Sequence, residues 1–149
     1  MNRAKVLRSA AVLALCVAVL GAWGSQSMKA AMKSWVSESA YVANNKTLIN
    51  DAKHSATALR SKSAPASELH TVCAVMLVES EEANSALPTP DHLASSILAK
   101  AYGNLGAGAN VCYKAGSNST KRTRAMSDLS LGVAQLAEAS ARIRSDLST

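Results

Sequence analysis

Met126, Leu129, Val133, Leu136, Ser140, Ile143 and Leu147 follow one another at alternating steps of three and four residues. An α-helix returns to the same face about every 3.6 residues, so this spacing predicts a long C-terminal helix with a coiled-coil-like seam that other helices must cover. Composition points the same way. Alanine accounts for 29 of the 149 residues and gives up no side-chain entropy in a helix, while β-branched runs of strand length are absent. The expected fold class is all-α, a small antiparallel four-helix bundle.

Three further helices are expected upstream. Met28, Met32, Trp35, Ser39, Val42, Ile49 and Ala56 form an apolar stripe over 27–60, with a bend near Asn44 and Asn45, whose amides compete for backbone hydrogen bonds. Residues 61–65 break the pattern, with Ser63 as cap and Pro65 in the first turn of a second helix. The stripe of that helix is Leu69, Val72, Cys73, Met76, Ser80 and Ala83. Pro88 and Pro90 cannot sit inside a helix, so 87–91 is a turn, with Thr89 capping a third helix and Pro90 at its first position. Leu93, Ile97, Ala101, Leu105, Gly108 and Cys112 continue the pattern until 116–119. Gly103, Gly106 and Gly108 each cost about 1 kcal/mol against alanine in a helix interior, so the third helix is either broken there or packed very tightly.

The N-terminus has a different character. Arg3, Lys5 and Arg8 precede an uncharged run at 10–23, and Ala22, Trp23 and Gly24 supply small residues before a cut ahead of Ser25. A basic start, a short apolar core and small residues at the cut describe a signal peptide at 1–24, removed on export to the periplasm, cell envelope or extracellular space. The alternative is an uncleaved membrane anchor at 9–28, since about 20 uncharged residues are just enough to span. Lipidation of Cys16 fits poorly, because Leu15 precedes it and the apolar run continues past it. Residues 25–149 then form one domain. Three of the cations behind the formal charge of +6 belong to the leader, which leaves 13 basic against 10 acidic residues. With no Phe and five aromatic residues in all, the chain has no signature of nucleic-acid binding.

Export also orders the cysteines. Cys16 leaves with the signal, and Cys73 and Cys112 remain as an even pair on core-facing stripes, where an oxidising compartment favours a disulfide. Measured along straight helices from the Pro88 turn, however, the two differ in height by roughly 13 Å, whereas a disulfide needs Cα atoms within about 7 Å. A break in the third helix at 103–108 is the preferred remedy, a longer turn the other.

No catalytic constellation is present. His54, His70 and His92 are not spaced as metal ligands, and no serine sits in a nucleophile elbow. The glycines of 103–108 lack the strand, order and lysine of a phosphate loop. No metal or cofactor is expected. Lys114, Lys121, Arg122 and Arg124 form a candidate basic surface patch, and Glu79, Glu81 and Glu82 an acidic one; a solvated face is the more ordinary reading of each. The expectation is an exported, non-enzymatic interaction or structural module with a protein or envelope partner. Membrane contact is expected only through an uncleaved N-terminus. The alternative is a carrier that holds an apolar small ligand or cofactor between helices near Met32, Trp35 and Met76.

Overall fold

In the computed structural model, residues 27–149 are described, and the leader with Cys16 lies outside them. Among the described residues there are five helices and no strand: α1 (Met28–Glu38), α2 (Tyr41–Arg60), α3 (Ala66–Ser85), α4 (His92–Tyr113) and α5 (Ser119–Ser148). The segment expected as a single helix over 27–60 is two. Its break lies at Ala40, which takes a left-handed conformation (φ 49°), rather than at Asn44 and Asn45. Alanine pays roughly 1 kcal/mol for such a conformation. The turn is tied down on both sides: Ser39 Oγ donates to Trp35 O, and Asn44 Nδ2 reaches back to Ser39 O. Asn44 thus supports the break without sitting in it.

Helices α2 to α5 each pack against the next in chain order, and α5 returns to contact α2. α1 packs against α2 and α5, placing Met32 in the core and Trp35 against Tyr41 (ring centroids 5.2 Å apart). The indole Nε1 donates to Ala86 O at 2.9 Å, which fastens α1 to the linker between α3 and α4.

The tightest contact is between α4 and α5. The buried residues are Ala94, Leu98, Ala101, Tyr102, Leu105, Gly108, Ala109 and Cys112 on α4, and Ala125, Leu129, Gly132, Leu136, Ala139 and Ile143 on α5. The α5 series alternates a small residue with a larger one. The α5 face is therefore turned by about one residue from the expected stripe: Ala125, Gly132 and Ala139 occupy the interface, and Met126, Val133 and Ser140 flank it. α4 shifts likewise, leaving Leu93 half exposed. The reason is proximity. A Cβ on Gly132 would stand 2.6 Å from Leu105 Cγ and 3.0 Å from Ala101 O, and one on Gly108 would stand 3.0 Å from the Leu129 backbone nitrogen.

α4 runs unbroken through Gly103, Gly106 and Gly108, so the expected break does not occur. Cys73 and Cys112 are nevertheless joined, with Cα atoms 5.9 Å apart. The offset is absorbed by the linker. Cys112 faces Cys73, and Gly106 faces Ser80, which puts the end of α3 level with the neighbourhood of Ala101. The first nine or so residues of α4, about 13 Å of helix, project past it. Residues 86–91 are outside both helices, and non-helical chain advances up to about 3.3 Å per residue, more than enough to cover that length.

Helix starts also differ from expectation. Asp91 caps α4, its Oδ1 accepting from Leu93 N at 2.9 Å. Thr89 is buried one step earlier and donates to Asp91 O, so Pro90 stays outside the helix. Pro65 holds the cap position of α3, where Ser63 was expected and instead pairs with Ser61. Asp91 Oδ2 also receives Arg142 Nε at 2.5 Å. Burial opposes ionisation of Asp91, but Arg142 and the Leu93 N–H outweigh it and hold the carboxyl below its ordinary range.

A candidate binding groove between α2 and α5

The residues singled out in the sequence do not form one site. Cys73 and Cys112 are fully buried as a cross-link between α3 and α4. Of the four basic residues, Arg122 is a structural clamp: its guanidinium donates to Gly116 O (2.6 Å), Leu59 O (3.1 Å) and Ser61 O (2.7 Å). It thereby satisfies carbonyls at the end of α2 and ties them to the start of α5. Lys121 donates weakly to Lys114 O, and Arg124 lies 3.9 Å from Asp128. Only Lys114 and Lys121 are left as exposed cations at the α4–α5 turn without an acidic partner. His54, His70 and His92 are exposed and far apart in sequence, and His70 stacks on Tyr113 at 4.5 Å. Among the described residues, no three His, Cys, Asp or Glu gather as a metal site, and no helix is long and apolar enough to cross a membrane.

Met32 and Met76 are fully buried, so the position expected for a ligand near Met32, Trp35 and Met76 is close-packed core. Glu81 and Glu82 are exposed, but Glu79 is half-buried with Oε2 unpartnered. Burial, then the Asp51 carboxyl facing it from α2, then Glu82, push Glu79 up to about 7. A proton held more tightly in the folded than in the unfolded state stabilises below the ordinary value near 4.5, and that contribution is lost as pH rises through about 7. The expected result is a Glu79→Gln variant that melts close to the parent at pH 4 and above it at pH 8. Equal differences at both pH values would remove the assignment.

The open feature lies between α2 and α5. The buried face of α2 is Tyr41, Asn45, Leu48, Ala52, Ser55, Ala58 and Leu59. Val42 and Ile49, expected in the core, are one position off that face; Val42 is 68% exposed. With Val36, Ile143 and Leu147 they line a hollow of about 560 Å³, beside Tyr41, Asn45 and Ser140. A second hollow of about 180 Å³, between Ala52, Ala56, Met126 and Val133, continues along the same pair of helices.

Tyr41, Asn45 and Ser140 bring polar groups to the floor. Tyr41 Oη and Ser140 Oγ are 2.9 Å apart, and Tyr102 Oη donates to Asn45 Oδ1 at 3.1 Å. Burial raises the phenol of Tyr41, and that of Tyr102 well beyond the ordinary range, so both stay neutral donors. Asn45 is 5% exposed and its Nδ2 has no hydrogen-bond partner. The rim is cationic: Lys46, Lys53 and Arg144 line the larger hollow, Lys53 and Arg60 the smaller, and neither has an acidic lining residue. None of these four cations makes an ion pair among the described residues. One signal was available in the sequence, for Lys46, Lys53 and Arg60 recur every seven residues, on one side of a helix.

No family model matches the chain, and no curated protein or solved structure is significantly similar to it.

Proposed function

We propose that this chain is an exported, non-catalytic helical module of the cell envelope or extracellular space that works by binding along its α2–α5 groove. Residues 1–24 act as the export signal, and an antiparallel four-helix frame with α1 appended forms the working domain. The observation that carries the reading is a concave, mainly apolar hollow of about 560 Å³ with an unpartnered buried amide on its floor. Such a volume lies within the roughly 300–1,000 Å³ typical of small-molecule sites. Of the two kinds of occupant, a protein partner or an apolar small ligand, this favours the ligand carrier.

Native mass spectrometry of the protein recovered from its natural source tests the reading. The expected spectrum shows a species beginning after residue 24 with additional non-covalent mass, and Val42→Glu in the groove removes that mass. A bare chain from the parent, or mass retained by the variant, would count against binding in the groove. An intact Met1 would refute cleavage.

A further inference from the structure

The groove has a chemistry more specific than apolarity. We infer that it binds a free single-chain amphiphile with an anionic head, the hydrocarbon lying on Val42, Ile49, Ile143 and Leu147 and the head held by Lys46 and Arg144. This rests on the proposed binding role of the groove and names its ligand class. Three observations support it. Apolar side chains from α1, α2 and α5 form the walls, and a narrower hollow prolongs the trough in the direction an extended chain would follow. Lys46 and Arg144 stand on facing helices at the mouth of the larger hollow, and no acidic side chain lines it. Lone cations beside an apolar surface complement a carboxylate or phosphate attached to hydrocarbon, whereas a neutral apolar ligand would leave them unused.

Other occupants fit less well. A second copy of the chain would bring Lys46, Lys53 and Arg144 against their own counterparts, and like charges repel across such an interface. A flat bilayer surface would meet the exposed cations and Val42 but not a floor that includes Tyr41 at 7% exposure.

The test is calorimetric titration of the exported protein with palmitate below its aggregation threshold, with cetyl alcohol and phosphatidylglycerol vesicles as separate arms. One palmitate is expected per chain, bound at least tenfold more tightly than the alcohol. Lys46→Glu with Arg144→Glu is expected to weaken palmitate at least tenfold while leaving the alcohol unchanged. Val42→Glu should abolish both. All three positions are exposed, and an unchanged melting curve for each variant verifies that the fold survives.

Absent palmitate binding, equal affinity for the alcohol, or indifference to the charge reversals would overturn the inference. Binding to vesicles without binding to monomeric palmitate would overturn it in favour of a membrane-surface role, and sedimentation as a dimer that buries Val42 would overturn it in favour of self-association. If palmitate fails but material from the natural source loses a bound partner on Val42→Glu, only the ligand class is wrong. If both fail, the binding role of the groove falls too.

Discussion

Gly132→Ala is expected to destabilise the domain by about 2 kcal/mol, whereas Gly103→Ala, in a neighbouring helix, is expected to stabilise it by about 0.5–1 kcal/mol. Both changes add one methyl group and both improve helix propensity. At Gly103 the new Cβ meets nothing within 4 Å, so the propensity gain stands alone. At Gly132 it meets Leu105 Cγ at 2.6 Å, Leu105 Cδ2 at 2.8 Å and Ala101 O at 3.0 Å. Leu105 is itself fully buried, and a backbone carbonyl inside a helix cannot yield without moving the helix. Overpacking of that kind costs about 1–3 kcal/mol, occasionally more, and exceeds the gain. In thermal denaturation the two variants should shift in opposite directions by several degrees. Equal shifts of one sign would show that α4 and α5 are not as close as described.

Reduction of the Cys73–Cys112 bridge is expected to cost about 4 kcal/mol. The bond closes a loop spanning a sequence separation of 39, and the chain-entropy relation gives about that value for such a loop. The whole stability of a domain this size is only about 5–15 kcal/mol, so the loss is a large share of it. A paired measurement separates loop closure from packing. Chemical denaturation of the oxidised and reduced forms should differ in midpoint, and a Cys73→Ala, Cys112→Ala chain should match the reduced form closely. Coincident curves for oxidised and reduced protein, with two free thiols in both, would show that the cross-link does not form in solution.

The two predictions rest on features that the sequence disclosed to different degrees. The pairing of Cys73 with Cys112 follows from the even number left once the leader is set aside, and both lie on apolar stripes that turn out to be buried. How they meet was not legible, because a helical ruler treats the turn as a point, whereas residues 86–91 are a non-helical linker with a length of its own. Gly103, Gly106 and Gly108 have the same local cost on paper, and nothing along the chain says that Gly108 lies against Leu129 while Gly103 lies against nothing. The groove was hidden for a related reason. Val42, Ile49 and Val133 scored as core because they are apolar and regularly spaced, yet an adjacent series of smaller or polar residues, including Asn45, Ser55, Gly132 and Ala139, takes the interior.

By itself, the sequence determined the helical class, the positions of the last three helices to within a few residues, and the identity of the cross-linked pair. These depend on local propensity, on proline and glycine, and on residue count, all of which act over a few positions along the chain. The break at Ala40, the choice of face on α2 and α5, the removal of Arg122 from the basic patch and the existence of a groove were decided only in the tertiary structure. Close approach selects the smallest side chains for the α4–α5 interface, and that choice rotates larger apolar residues of α5 outward beside α2. The cationic, apolar trough is thus the complement of the tightest packing in the molecule.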